Sequence, residues 1–168
     1  MSAWISVDYS VLLVVDNADL SRLAVGFMRA APHIRLCIAN DAIEAKAYLS
    51  GRDDYADRDV HPIPQVILLD IDLPQKSGLE LLRWMKADRG LTLLPVIVLT
   101  SCCESTDVNR AYELGANSCL LKSEDEAIMH DIARGIGDYA SVLRRRFMPS
   151  RESSVDDAAL FPIGSASL

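Results

Sequence analysis

Short runs dominated by valine, isoleucine and leucine recur along the chain, separated by stretches whose apolar positions return every three or four residues. The runs at 11–15, 33–39, 66–69, 93–99 and 118–121 read as strands. Hydrophobicity at 11–15, 66–69 and 96–99 is continuous rather than alternating, which predicts burial on both faces. Helices are predicted over 18–30, with Leu20, Leu23, Ala24 and Phe27 on one face, and over 41–49, 77–87 and 104–114. A last helix starts at Ser123 and reaches Arg146, with Ile128, Ile132, Ile136 and Leu143 on one stripe. Asp41/Glu44, Ser77/Glu80 and Ser123/Glu126 carry capping-box spacing. Gly51 and Gly115 close helices, whereas Gly135 and Gly137 each weaken the last one by about 1 kcal/mol relative to alanine. Strands alternating with helices in this way predict an α/β fold, a doubly wound five-stranded parallel sheet.

The polar stretch 52–59 and the following His61-Pro62-Ile63-Pro64 read as a loop. One domain over 9–147 is expected, after an extension at 1–8 and before a Ser-, Pro- and Asp-rich tail at 148–168 that reads as mobile. Composition narrows the function. Seventeen basic against 24 acidic residues give a net charge of −7, which opposes nucleic acid as a partner because phosphate binding needs a concentrated positive face. The longest apolar run is about seven residues, far below the roughly 20 that cross a bilayer. The N-terminus has no signal-peptide pattern, so the cytoplasm is the expected location. Cys37, Cys102, Cys103 and Cys119 lack CxxC spacing and are expected to be reduced; the last three read as small packing residues. His33, His61 and His130 share no metal spacing, and Trp84 reads as a packing or surface residue of the third helix.

Chemistry gathers where the strands end. In open α/β sheets the functional crevice lies beyond the carboxyl ends of the strands. Those ends carry Asp16, Asp70, Thr100 with Ser101, and Lys122. Two neighbouring carboxylates repel unless they share a proton or a cation, and Mg2+ takes a few oxygen ligands while keeping waters for a phosphate. Lys122 would hold a phosphoryl oxygen, Thr100 would donate to another, and Asp70 would be the nucleophile that forms an acyl phosphate. The Asp72 side chain has no required part, since its backbone carbonyl suffices as a metal ligand.

Four segments then carry a resemblance. "VLLVVDN", "VILLDIDLPQKSG" with Pro74 and Gly78, "PVIVLTS" and "LLKS" follow one another with 30 residues from Asp70 to Thr100 and 22 from Thr100 to Lys122. The sequence resembles a response-regulator receiver domain, the CheY-like (βα)5 flavodoxin-like module of two-component signalling. "KADRGLTLLPVIVLTSCCE" and "YELGANSCLLK", with the long loop after the second helix, are similar to the small single-domain regulators that partner bacterial phytochromes. The resemblance implies that Asp70 takes a phosphoryl group from a sensor histidine kinase. It implies that Asp16, Asp70 and the Asp72 carbonyl hold Mg2+, and that Thr100 and Lys122 relay phosphorylation to helix four, strand five and helix five. Val15 stands where the family usually has an acid, which implies weakened Mg2+ binding. Cys119 stands in place of a common aromatic, and Ser123 in place of a common proline.

Two further readings compete. A degenerate receiver would bind partners without phosphorylation, as Val15 suggests. A haloacid-dehalogenase-type phosphatase would use Asp70 and Asp72 as a D-x-D pair, but its acidic pair should end a later strand. No DNA-recognition pattern follows Arg146, so protein contact is the expected output. A homodimer through helix four, strand five and helix five is expected from Ile136, Tyr139, Val142, Leu143 and Phe147.

Overall fold

Strand β1 (Tyr9–Val14) pairs in parallel with β2 (Ile34–Ala39) on one side and β3 (Val66–Asp70) on the other. Beyond β3 lie β4 (Val96–Thr100) and β5 (Ser118–Leu121), giving the order β2-β1-β3-β4-β5. This is the flavodoxin-like order of a doubly wound sheet, as expected. The computed structural model describes residues 9–16, 24–26, 28–32, 34–74, 77–102 and 106–147. Helical backbone at 24–26 and 28–30 (α1) is followed by α2 (Ala42–Ser50), α3 (Ser77–Ala87), α4 (Thr106–Glu113) and α5 (Glu126–Phe147). The expectations for Leu20, Leu23, Phe27, His33, Cys103, Glu104 and the two terminal segments lie outside the described residues. So do those for the side chains of Ser77, Glu126, Leu143 and Phe147.

Continuous hydrophobicity has a simple structural meaning here. Leu12, Val14, Ile67, Leu69, Val96 and Val98 face one layer with Leu49, Leu81, Leu82, Met85 and Ala111 of α2 to α4. Val11, Leu13, Val15, Val66, Leu68, Ile97 and Leu99 face the other, covered by Met129, Ala133, Ile136 and Ala140 of α5. Successive residues point to opposite faces and both faces are covered, so no polar position is tolerated between them.

Several boundaries differ from the sequence expectation. β1 begins two residues earlier, since Tyr9 and Ser10 pair with Ile34 and Arg35, and ends at Val14 rather than Val15. β4 starts at Val96, not at 93, because Lys86 Nζ donates to the carbonyls of Thr92 (3.1 Å) and Leu94 (2.9 Å) and folds that segment into turns. Leu93 is consequently 88% exposed. In α5 the buried stripe is Met129, Ala133, Ile136 and Ala140, whereas Ile128 is 49% exposed. The cap of α5 is Asp125, whose Oδ1 accepts from the Ala127 N–H at 2.8 Å; Ser123 Oγ accepts only from Asp125 N. Asp41 caps α2 as expected, but Glu44 reaches back to the N–H of Asn40 rather than closing the box on Asp41. Gly137 proves useful: a Cβ there would meet Ile34 Cδ1 at 2.9 Å and Ala31 Cβ at 3.0 Å, so its absence lets α5 seat closely.

The loop after α2 is tightly built. It contains a 3-10 turn at Asp53–Tyr55. The Arg58 guanidinium donates to the carbonyls of Tyr48 (2.9 Å), Leu49 (3.0 Å) and His61 (3.2 Å), satisfying the last turn of α2. Tyr48, Tyr55 and His61 pack ring to ring at 5.0–5.8 Å. Trp84 is half-buried, with Lys46 Nζ 5.7 Å from its ring centre.

Tyr55 Oη donates to Glu44 Oε1 at 2.6 Å. Burial pulls the Glu44 carboxyl upward, but the hydrogen bonds from Asn40 and Tyr55 outweigh it and hold the group below its ordinary value. The same bond to Glu44 pushes the Tyr55 phenol up to about 12. A lowered carboxyl stabilises the fold above its unfolded pKa, and that contribution fades as pH falls through the folded one. Tyr55→Phe is therefore expected to cost about 1 kcal/mol at neutral pH, with the difference shrinking under acid as Glu44 protonates. Urea denaturation of both chains at neutral and acidic pH checks this.

Candidate functional site

The carboxyl ends of β1, β3, β4 and β5 form one rim. Leu69 pairs with Val14 and Asp70 with Leu99, so Asp16 and Thr100 flank Asp70 at the ends of the neighbouring strands. Lys122 directly follows β5, and its N–H donates to the Thr100 carbonyl at 2.8 Å. Gly78, in the first turn of α3, lies against the main chain of Asp70. A Cβ there would fall 2.5 Å from the Asp70 carbonyl oxygen and 2.7 Å from Ile71 Cα.

Asp70 is 1% exposed. Its Oδ2 accepts from Lys122 Nζ at 2.6 Å, and its Oδ1 accepts from the Asp72 N–H at 2.8 Å. Burial pushes the Asp70 carboxyl above the ordinary carboxylate value; the bond and charge of Lys122 and the Asp72 N–H oppose that shift without cancelling it. Lys122 thus both orients the carboxylate and favours its ionised form. A carboxylate oriented in this way at a strand end has the geometry a nucleophile needs.

The Asp72 side chain, given a part by the sequence only in the D-x-D alternative, has three partners. Oδ2 accepts from the Ser101 N–H at 2.6 Å and lies 3.5 Å from Lys122 Nζ. Oδ1 faces the Thr100 hydroxyl at 3.4 Å. That hydroxyl also lies 3.2 Å from the Cys102 carbonyl and accepts from the Cys102 N–H at 3.2 Å. Thr100 is therefore turned toward Asp72 and the start of the following loop. No spacing rule could have flagged the Ser101 N–H, because a backbone donor leaves no mark in the sequence. Cys102 is exposed, contrary to its expected packing role, whereas Cys119 is half-buried against the core.

The model of the response regulator receiver domain family matches residues 11–134. The chain belongs to this family. The receiver is 34% identical over 130 residues to the response regulator Rcp1 of Synechocystis, an alignment spanning 77% of this chain and 86% of Rcp1. The crystal structure of the phosphorylated cyanobacterial phytochrome response regulator RcpA superposes with a TM-score of 0.70 at 30% identity, covering 79% of this chain and 94% of RcpA. The Mn2+-bound form of Rcp1 gives a TM-score of 0.66 at 32% identity, covering 78% of this chain and 93% of Rcp1.

The donor set suits a small hard cation. Among the described residues no three His, Cys, Asp or Glu side chains form a metal cage. Two rim carboxylates with a main-chain carbonyl match what Mg2+ takes, one or two carboxylates with waters retained. Val15, where an acid is usual in the family, is fully buried in the apolar layer under α5.

Proposed function

We propose that this receiver accepts a phosphoryl group on Asp70 from the phosphohistidine of a sensor histidine kinase and signals by protein contact. The observation that carries this reading is the 2.6 Å pairing of Asp70 Oδ2 with Lys122 Nζ at the buried end of β3. In the transfer, a bond forms from an Asp70 oxygen to phosphorus as the phosphorus–nitrogen bond breaks, and the imidazole leaves with the electron pair. Lys122 offsets charge on the phosphoryl oxygens, and Thr100 and the Ser101 N–H lie at the same rim to receive them. Mg2+, held by Asp16, Asp70 and the Asp72 carbonyl, would neutralise further charge there when bound. Val15 supplies no outer ligand, so its affinity for Mg2+ is set about 10–100-fold below that of relatives with an acid pair.

The likeness to the cyanobacterial phytochrome response regulator RcpA supports a phytochrome as the kinase, and membership of the receiver family supports the cytoplasm as the location. No helix among the described residues is long and apolar enough to cross a membrane. In this reading the receiver is a phosphoacceptor rather than an enzyme turning over an external substrate, and nucleic acid is not its partner. Tyr112, Leu121, Ile128, Tyr139 and Val142 are exposed on α4, β5 and α5, which supports pairing of two copies there. Ile136, expected on that surface, is buried against the sheet instead.

Buried Val15 favours one second reading, a receiver that binds its partner without phosphorylation. Acetyl phosphate with Mg2+, followed by intact-mass measurement, separates the two. Gain of one phosphoryl group, abolished by Asp70→Asn, is the expected result; no gain in the unaltered chain supports the pure binding module.

A further inference from the structure

The Asp72 carboxylate holds what a phosphoryl group on Asp70 would need. Its Oδ2 takes the Ser101 N–H at 2.6 Å, its Oδ1 faces the Thr100 hydroxyl at 3.4 Å, and both carboxylates lie on one ammonium, with Lys122 Nζ at 2.6 Å from Asp70 and 3.5 Å from Asp72. Ser101 is 29 positions from Asp72, so this contact joins two strand ends and is no local turn. An amide or hydroxyl carries one hydrogen, and neither serves a carboxylate and a phosphoryl oxygen together. A phosphoryl group brings about 1.5–2 negative charges and three acceptor oxygens, and the adjacent carboxylate repels it. The Asp72 side chain is 38% exposed against 2% for Asp70, so Asp72 has water to move into and Asp70 has none.

We infer that the Asp72 carboxylate is a resident substitute for phosphoryl oxygens: in the resting chain it occupies the Ser101 N–H and Lys122, beside a Thr100 hydroxyl whose one hydrogen it shares with the Cys102 carbonyl, and phosphorylation of Asp70 expels it. The inference rests on the phosphoacceptor reading. With acetyl phosphate, an Asp70 oxygen bonds to phosphorus as the bond from phosphorus to the acetate oxygen breaks. Acetate leaves with the electron pair, while Asp72 swings outward with its bonds unchanged. Asp72 is thus a positioning residue. While it is seated, it ties the end of β4 and the start of the segment toward α4 to the phosphoacceptor. Its release frees that junction, which makes the contact a brake on acceptance and a reporter of it.

Two measurements on the full chain test this. Hydrogen exchange of the Ser101 amide, without phosphodonor, is expected to run about tenfold faster in Asp72→Ala, the loss of one charge-assisted hydrogen bond. Equal exchange in both chains overturns the inference. Intact-mass kinetics with acetyl phosphate at saturating Mg2+ are expected to show Asp72→Ala and Asp72→Asn phosphorylated on the order of tenfold faster than the unaltered chain. Asn keeps the shape and drops the charge, and it carries the kinetic arm should thermal melts show Ala misfolded. If the unaltered chain is phosphorylated and neither variant is faster, the inference fails alone. If no chain, the unaltered one included, gains a phosphoryl group, the phosphoacceptor reading fails and takes the inference with it.

Discussion

Gly78→Ala is expected to lower stability by about 3 kcal/mol or more and to displace the end of β3 that carries Asp70. The cause is space. The added carbon would stand 2.5 Å from the Asp70 carbonyl oxygen and 2.7 Å from Ile71 Cα, and both are main-chain atoms that cannot turn away. Either α3 lifts off the sheet, opening its contact through Leu81, Leu82 and Met85, or the chain at Asp70 and Ile71 shifts and carries the carboxylate with it. Gly135→Ala is the control. Nothing lies within 4 Å of a Cβ there, so that change should stabilise by up to about 1 kcal/mol through helix propensity. Urea denaturation gives both stabilities. Similar values for the two substitutions would show that the approach of α3 to Asp70 is looser than described.

Lys122→Ala is expected to cost about 3 kcal/mol at neutral pH and to stop phosphoryl uptake. The ammonium lies 2.6 Å from a carboxylate with 2% exposure, and its own side chain is 16% exposed, so solvent compensates little for its loss. What remains is a buried carboxyl already pushed upward by burial and now without its cation. The test is a double-mutant cycle. Asp70→Asn removes the stranded charge, so Asp70→Asn/Lys122→Ala should recover most of the stability lost in Lys122→Ala alone. Additive losses in chemical denaturation would mean that the two side chains do not depend on each other.

The sheet was legible because the signal for it is strong: a strand covered on both faces has to be apolar at consecutive positions, and 11–15 and 66–69 are. Asp70, Thr100 and Lys122 were legible for the opposite reason, as polar groups at the ends of such runs. The sequence misled where one pattern has two solutions. Ile128, Ile132 and Ile136 suggested a stripe, but the helix turns Met129, Ala133 and Ile136 inward and leaves Ile128 out. Ser123 and Asp125 are both good caps, and Asp125 wins by reaching the Ala127 N–H. At 93–95 apolar residues looked like more strand, because the Lys86 ammonium that claims the carbonyls of Thr92 and Leu94 comes from another element. The Asp72–Ser101 contact and the Arg58 clamp were missed likewise: the partner groups are backbone N–H and C=O, and only tertiary folding brings those within reach.

The two margins of the sheet bear on how copies of the receiver can meet. β5 is only four residues long, a short template for another chain's strand. β2 at the other margin carries Arg35, whose guanidinium is drawn to the carbonyls of Asp59 and Val60 in the clamped loop. A charged, tethered side chain there discourages a visiting strand from docking. Open-ended growth of the sheet by another chain's strand is thereby disfavoured at both margins.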